Sequence, residues 1–270
     1  MFGRKADANS PLAVTIRDGP GPTLLLLHGL TGSSASWMRL APLLPAFRLV
    51  IPDLLGFGRS PKPDSPYDLD AHCAALAPII AQTRPVAAIG HSMGGVIALA
   101  LLQRCPEIGA GVLICPALYE SREQALAVVE HAPWLQRLSL HSPRMARVAC
   151  EASCMLRPVL RPIAPLFVRD LPAAVVRAGL DHTWTSYSRS LDRVVLSGLG
   201  RSLVSGVGGR VTLVHASEDA TVPRQVLEPY APLVKRFVVI EGGHEALLTR
   251  AEAVAHEVVT SMVPRGRGSI

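Results

Sequence analysis

Short apolar runs recur along the first part of the chain. Leu12–Ile16 alternates between apolar and polar residues like an edge strand, whereas Thr23–His28 is almost continuously apolar, as in a parallel strand buried on both faces. Further runs predict strands at Phe47–Pro52, Val86–Gly90 and Gly111–Cys115. Runs this short and this uniformly apolar favour a parallel sheet over an antiparallel one.

Amphipathic stretches lie between the predicted strands. Trp37–Leu44, Leu69–Gln82 and Gly94–Arg104 carry apolar residues at helical spacing, and Asp68 or Asp70 lies near the start of the second stretch. Strands and helices in this alternation predict an α/β fold with a doubly wound, mostly parallel sheet.

The alternation then stops. Prolines punctuate the next part of the chain and separate short helical segments such as Arg122–His131 and Pro172–Gly179. These prolines are Pro133, Pro143, Pro158, Pro162, Pro165 and Pro172. We therefore expect a helical insertion at residues 117–206.

The alternation resumes after the insertion. Apolar runs predict strands at Val211–His215 and Arg236–Glu241, and helical spacing predicts helices at Pro223–Leu233 and Ala246–Val263. One sheet interrupted by a helical insertion explains both the length and the pattern. The predicted core domain comprises residues 1–116 and 207–270.

The composition supports a large folded core. Hydrophobic residues make up 49% of the 270 residues and charged residues only 18%, which is unlike a disordered chain. The densest apolar runs, Leu24–Leu27 and Val96–Leu102, are far shorter than the roughly 18 residues of a membrane span. The N-terminus lacks the apolar stretch of a secretory signal. We expect a cytoplasmic, globular protein without a membrane span.

The basic residues do not indicate a nucleic-acid partner. The net charge of +6 comes almost entirely from arginine, and the basic residues form no recognition motif for DNA or RNA, so we expect no nucleic-acid partner.

The five cysteines are scattered, with no Cys-x-x-Cys pair and no histidine at metal-ligand spacing. We interpret them as small buried residues in a reducing compartment, and we expect neither a metal nor a cofactor.

A candidate nucleophile follows the fourth predicted strand. The segment Gly90-His91-Ser92-Met93-Gly94 fits the pattern Gly-x-Ser-x-Gly, with an apolar strand before it and a helix after it. This setting is the one that a nucleophile elbow requires, because glycines relieve crowding in a sharp turn that projects the serine hydroxyl above the sheet. We identify Ser92 as the candidate nucleophile.

A serine nucleophile needs a base, and the base needs an orienting acid. Asp219 follows the predicted strand Val211–His215, and His244 follows the last predicted strand, in the order of acid and then histidine that this architecture requires. Both positions lie at carboxyl ends of strands, where open α/β sheets place their sites. Glu218 is the alternative acid, and we favour Asp219.

Taken together, these segments resemble the α/β-hydrolase superfamily over about residues 12–263, as a member with a serine nucleophile and a lid. The blocks that carry the resemblance are His28-Gly29-Leu30-Thr31-Gly32, Pro52-Asp53-Leu54-Leu55-Gly56-Phe57-Gly58-Arg59-Ser60, Gly90-His91-Ser92-Met93-Gly94 and Gly242-Gly243-His244. The first block resembles the oxyanion loop that follows the third strand of the family. The second resembles the family's Asp-x-x-Gly-x-Gly-x-Ser turn, which we expect Asp53 to fix.

The resemblance implies further roles for residues near Ser92. The backbone N–H groups of Leu30 and Met93 are expected to form an oxyanion hole. The insertion is expected to be a helical lid placed after the sixth strand. His28 is expected to fix the oxyanion loop by hydrogen bonds, and His28 and His91 are also candidate substrate contacts.

The insertion carries the only hint about the substrate. It holds eleven arginines against seven acidic residues, with aromatic and aliphatic residues between them. Trp134 and Trp184 are candidate substrate contacts in an apolar pocket. The favoured interpretation is a solvated outer surface above an apolar pocket for a small acyl substrate. The alternative is that the arginines hold an acidic or carrier-bound substrate.

The leading functional hypothesis is a serine hydrolase acting on a carboxylic ester, thioester or lactone through an acyl-Ser92 intermediate. Epoxide hydrolases and haloalkane dehalogenases of the superfamily that this chain resembles have aspartate at the elbow. They are disfavoured because this chain has Ser92 there. The alternative is a lyase, a cyclase or a carbon–carbon bond hydrolase in which His244 acts as base on substrate carbon. A third hypothesis is a non-catalytic binding protein on the same scaffold.

Overall fold

A single seven-stranded sheet organises the computed structural model, which describes residues 12–130 and 142–262. The order of strands across the sheet is β1-β3-β2-β4-β5-β6-β7, and every neighbouring pair is parallel except β1 with β3. The strands are β1 (Val14–Arg17), β2 (Thr23–Leu27), β3 (Arg48–Pro52), β4 (Ala87–His91), β5 (Ala110–Ile114), β6 (Val211–Ala216) and β7 (Arg236–Ile240). The predicted fold class is confirmed.

Helices cover both faces of the sheet. They are α1 (Leu69–Thr83), α2 (Met93–Arg104), α3 (Arg122–Glu130), α4 (Pro143–Met155), α5 (Arg157–Phe167), α6 (Ala173–Gly179), α7 (Trp184–Ser190), α8 (Gly200–Val204), α9 (Arg224–Leu227), α10 (Ala246–Thr249) and α11 (Ala251–Met262). No helix among the described residues is both long enough and apolar enough to cross a membrane.

The central strands are buried on both faces because their side chains divide between two cores. In β2, Leu25 and Leu27 pack into the core beneath α1 and α2, whereas Leu24 and Leu26 pack into the core on the opposite face, beneath α11. A strand buried in this way loses the alternation of polar and apolar residues. This geometry explains why the run Thr23–His28 is almost continuously apolar.

Three predicted helices are shorter or more broken than their periodicity suggests. In place of a helix at Trp37–Leu44, the structure has one 3₁₀ turn that ends at Trp37, Ser34–Trp37, and a second at Ala41–Leu43. The predicted helix at Pro223–Leu233 consists of α9 followed by the 3₁₀ segment Glu228–Leu233. Proline has no N–H to donate, and Pro42, Pro229 and Pro232 occupy these shortened segments. The last predicted helix is divided between α10 and α11.

Helices and loops, with no strand of the sheet, occupy the described residues between Ile114 and Val211. They include α3 to α8 and a π-helical turn at Leu191–Val195. This stretch follows β5, the fifth strand along the described chain, and not a sixth strand as expected. The His28 loop follows β2. The role of this stretch as a lid stays a prediction.

Candidate active site

Ser92 occupies a strained turn between β4 and α2. Its φ of 52° and ψ of −119° lie in a region that residues with a side chain rarely adopt. The Ser92 N–H donates to the carbonyl of Ile114, at the end of the neighbouring strand, over 3.0 Å. The turn therefore holds the serine at the carboxyl end of the sheet, as in a nucleophile elbow.

The two glycines of the motif allow the backbone segments around Ser92 to approach closely. A Cβ on Gly94 would lie 2.1 Å from the carbonyl oxygen of Leu27, and one on Gly90 would lie 2.3 Å from the carbonyl oxygen of Gly94. Real Cβ atoms essentially never come this close to other atoms. Only glycine at both positions lets the first turn of α2 pack against the end of β2.

Asp219 and His244, from two different loops, meet through a short hydrogen bond. Nδ1 of His244 lies 2.9 Å from Oδ2 of Asp219, whose side chain is fully buried. Oδ1 of Asp219 accepts the backbone N–H groups of Thr221 and Val222 over 2.8 and 2.9 Å. Glu218 is exposed, so the structure brings Asp219, and not Glu218, to the histidine.

Asp219 is held in its ionised form. Burial raises the pKa of its carboxyl group, but hydrogen bonds from His244, from the Val222 N–H and from the Cys115 thiol outweigh burial and bring the pKa below its ordinary value. The ionised Asp219 accepts a hydrogen bond from the Nδ1–H group of His244, and the proton stays on Nδ1. This tautomer leaves Nε2 as the proton acceptor of the ring.

His91, beside the nucleophile, holds the loop that carries His244. Its Nε2 lies 2.9 Å from the carbonyl oxygen of His244, and because a carbonyl can only accept, the Nε2–H donates. The two imidazole rings lie 4.9 Å apart between centroids. Burial lowers the pKa of His91 to about 4, which keeps the ring neutral. A buried ring engaged in this way positions His244 and presents little surface to a substrate.

His28 fixes the loop after β2. Its Nε2 accepts the Leu54 N–H over 2.8 Å, and its Nδ1 lies 2.8 Å from the carbonyl oxygen of Gly29. The side chain is completely buried, and burial lowers its pKa. Both nitrogens are therefore occupied within the protein, so His28 offers nothing to a substrate. The expected hydrogen-bonding role is confirmed by these contacts.

The loop that His28 fixes lies directly against the nucleophile. A Cβ on Gly29 would lie 3.1 Å from the Cβ of Ser92. Leu30 follows in this loop, and Met93 is the first residue of α2, where a backbone N–H has no acceptor within its own helix. Met93 directly follows Ser92 in the chain, and Leu30 follows the glycine that lies against Ser92. The oxyanion role of their two N–H groups stays a prediction.

Asp53 fixes the turn that supports this loop. Its buried carboxylate accepts the Ser34 N–H over 2.7 Å and the Arg59 N–H and Nε–H over 2.9 and 3.0 Å. Burial raises the pKa of Asp53, but these donors lower it overall. The adjacent Leu54 N–H donates to His28, so the turn and the loop are joined. The predicted role of Asp53 is confirmed by these bonds.

Of the two tryptophans predicted to contact the substrate, the structure describes only Trp184. Trp184 is half-buried at the start of α7, with its ring centroid 6.1 Å from that of Tyr187. Trp134 lies outside the described residues. The substrate contacts of both residues stay predictions.

Cys115 is a component of the site that the sequence pattern does not reveal. Its Sγ, a carboxylate oxygen of Asp219 and a ring nitrogen of His244 lie within 4.8 Å of one another, and its thiol hydrogen-bonds to Asp219. Three such groups could offer ligand atoms to a metal ion. Burial raises the pKa of the thiol well above its ordinary value, however, and a protonated sulfur is a poor ligand and a suitable donor to a carboxylate. In the sequence Cys115 ends the predicted strand Gly111–Cys115, which suggests only a small buried residue.

The geometry can be compared with known proteins. Residues 22–251 match the family described as alpha/beta hydrolase fold. The chain belongs to this family. The match covers most of the chain and confirms the resemblance inferred from its motifs.

Curated relatives match shorter segments of the chain. Lipase LipV of Mycobacterium tuberculosis is 40% identical over 119 residues, which are 42% of this chain and 45% of the lipase. Lipase 3 of Moraxella sp. is 39% identical over 92 residues, which are 32% of this chain and 29% of that lipase. The chain spans less than half the length of these two lipases.

Solved structures share the fold at low sequence identity. A hydrolase from Pseudomonas aeruginosa PA01 has a TM-score of 0.68 and 19% identity, covering 96% of this chain and 97% of the other. An esterase from Exiguobacterium antarcticum has a TM-score of 0.65 and 18% identity, covering 92% and 95%. At these identities the likeness establishes the fold alone.

The close approach at Gly94 gives a test of the elbow. We expect Gly94→Ala to lower the free energy of unfolding by about 3 kcal/mol, because the added methyl group overlaps the Leu27 carbonyl. Gly209→Ala is the matched control, because an added Cβ there meets nothing within 4 Å, and its effect should stay within about 1 kcal/mol. Urea unfolding measures both, and equal stabilities would contradict the packing described here.

Proposed function

We propose that this chain is a serine hydrolase that cleaves a carboxylic ester, thioester or lactone through an acyl-Ser92 intermediate. The observation that carries the proposal is the hydrogen bond between buried Asp219 and His244, whose carbonyl is held by His91, the residue before Ser92 in the nucleophile elbow. A nucleophile, a base and an orienting acid are the parts that acyl transfer by serine requires.

The Asp219–His244 bond gives His244 its role in this mechanism. With Nδ1–H donated to Asp219, Nε2 of His244 takes the proton of the Ser92 hydroxyl while Oγ attacks the carbonyl carbon. The negative charge that forms on the carbonyl oxygen is stabilised by the N–H groups of Leu30 and Met93. The leaving alcohol or thiol takes the proton from Nε2, which leaves the acyl group on Ser92.

Hydrolysis of the acyl-enzyme reverses these roles with water. His244 takes a proton from the water molecule as its oxygen attacks the acyl carbon, and returns that proton to Ser92 Oγ as the carboxylic acid departs. The ionised Asp219 stabilises the positive charge that His244 carries in both halves of the reaction. The two lipases similar to parts of this chain support acyl transfer as the reaction class.

The insertion, residues 117–206, serves as a lid over Ser92 in this proposal, with Trp184 lining the pocket beneath it. Ion pairs within the protein engage many of its arginines, including Arg122 with Asp192 and Arg157 and Arg161 with Asp181. Paired arginines favour an uncharged, apolar acyl substrate over an acidic one.

All five cysteines are unpaired, which supports the cytoplasmic location.

Replacing the nucleophile tests the proposal most directly. We expect Ser92→Ala to lower kcat/KM on p-nitrophenyl esters by at least about 10³-fold and to abolish labelling by a fluorophosphonate probe. Ser205→Ala, an exposed serine of the insertion, should change neither. Retained ester hydrolysis by Ser92→Ala would refute the proposal. Labelling of the unaltered protein without turnover of any ester would favour the lyase or carbon–carbon hydrolase alternative.

Exchanging the acid tests the assignment within the Glu218-Asp219 pair. We expect Asp219→Asn to lower kcat by about 10³- to 10⁴-fold, because the amide stabilises the wrong tautomer of His244. Glu218→Gln should leave kcat unchanged, since that side chain is exposed. Steady-state kinetics on the same ester measures both values of kcat. A larger loss of kcat in Glu218→Gln than in Asp219→Asn would show that Glu218 is the orienting acid.

Cys115 should behave as a positioning residue that acts through Asp219. We expect Cys115→Ala to lower kcat about tenfold with KM unchanged, because Asp219 loses one donor, and Cys115→Ser to restore most of the loss. Both variants remove the sulfur atom, so an equal loss of kcat in both would show that packing, and not the hydrogen bond, matters.

A further inference from the structure

Exposed apolar side chains are concentrated on one part of the insertion. Fifteen large hydrophobic residues are exposed in the described chain, and nine of them lie on α4, on α5, at the residue between these helices or at the residue after α5. These nine are Met145, Val148, Met155, Leu156, Val159, Ile163, Leu166, Phe167 and Val168. We call this set the outer apolar face.

The outer apolar face is a regular stripe and not a scatter of residues. Met145, Val148 and Met155 recur along one side of α4, and Val159, Ile163 and Leu166 continue the stripe along one side of α5. The opposite sides of both helices pack inward, as the buried Ala146 and the half-buried residues Cys150, Cys154 and Leu160 show. A surface helix normally turns polar residues outward, so these two helices have a second apolar face without a partner in the described chain.

The charges that border the outer apolar face are almost all positive. Between residues 143 and 170 there are five arginines and two acidic residues, Glu151, which pairs with Arg147, and Asp170 at the end of the stripe. Arg161 pairs with Asp181. Arg144 and Arg169, near the two ends of the stripe, are both exposed, and neither has a carboxylate of the described residues within ion-pair distance.

This combination suits a lipid surface better than a second copy of the chain. Helices that lie in the plane of a bilayer bury aliphatic and aromatic side chains among the acyl chains and hold basic residues at the headgroups. A second copy would bring five more arginines and only two acidic residues, one of which already pairs with Arg147. Anionic headgroups neutralise these arginines.

We propose that the outer apolar face of α4 and α5 docks on the surface of an anionic lipid bilayer. Leu166 and Phe167, 65% and 81% exposed, insert among the acyl chains, and Arg144 and Arg169 contact the headgroups. Docking is a property of this face and does not require hydrolysis at Ser92. It goes beyond the proposed reaction by placing the insertion, and with it the entrance to the site, at the source of acyl lipids.

The test is cosedimentation of the full chain with vesicles of phosphatidylcholine alone or of phosphatidylcholine with phosphatidylglycerol. We expect binding to the vesicles with phosphatidylglycerol, weakening as salt is added, and little binding to phosphatidylcholine alone. Leu166→Ser combined with Phe167→Ser should weaken binding at least about tenfold. Arg144→Ala and Arg169→Ala should weaken it about fivefold each. Leu199→Ser and Leu233→Ser, exposed leucines outside the face, should bind like the unaltered protein.

Several results would overturn the docking proposal. They are a failure of the protein to bind anionic vesicles, equally strong binding to neutral vesicles, and unchanged binding to anionic vesicles by the variant that carries Leu166→Ser and Phe167→Ser. Self-association in sedimentation equilibrium that this variant abolishes, or binding to an acidic carrier protein in place of vesicles, would also overturn it. Thermal unfolding midpoints show that the variants are folded, and labelling of Ser92 by a fluorophosphonate reports the proposed reaction separately, so the two proposals can fail independently.

Discussion

The close approach of α2 to the ends of β2 and β4 is the contact on which the rest of the site depends. It exists because Gly90 and Gly94 carry no Cβ, and it forces Ser92 into a backbone region that other residues avoid. The same approach brings the Gly29 loop against Ser92. A methyl group at either glycine would separate the helix from the sheet and move the serine and the loop N–H groups apart.

The polar groups buried around this contact are each satisfied in a specific protonation state. His28 and His91 are buried and kept neutral, because burial penalises the charged ring. Asp53 and Asp219 are buried and kept ionised, because backbone and side-chain donors surround their oxygens. Of the three histidines nearest the nucleophile, His244 has the most accessible side chain, 18% exposed, and it faces the ionised Asp219. The surroundings therefore distinguish one base from two supporting histidines.

The insertion has a different physical character from the core. Its helices α4 and α5 turn apolar residues both inward and outward, whereas α1 buries one face and α2 buries every residue from Met93 to Leu102. Hydrogen bonds in the core position the groups of the site, whereas the insertion leaves apolar side chains exposed.

Local patterns in the sequence were enough to predict most of the core. The run Thr23–His28 and the motif around Ser92 identified a buried parallel strand and an elbow, because strand burial and turn strain are decided by neighbouring residues. The same reasoning predicted a continuous helix at Trp37–Leu44, where the structure has two short 3₁₀ turns, the second of which contains Pro42. Periodicity alone does not show whether proline and tertiary packing allow a continuous helix.

The sequence by itself determined the fold class, the candidate nucleophile and the order of acid and base along the chain. Only the tertiary structure decided that Asp219 and not Glu218 meets His244, that His91 and His28 support loops, and that the Cys115 thiol reaches Asp219. The outward turn of the apolar stripe on α4 and α5 also appeared only in the folded chain. The reason is that periodicity and turn chemistry act between neighbours, whereas these contacts join residues far apart in sequence, and packing alone sets their distances.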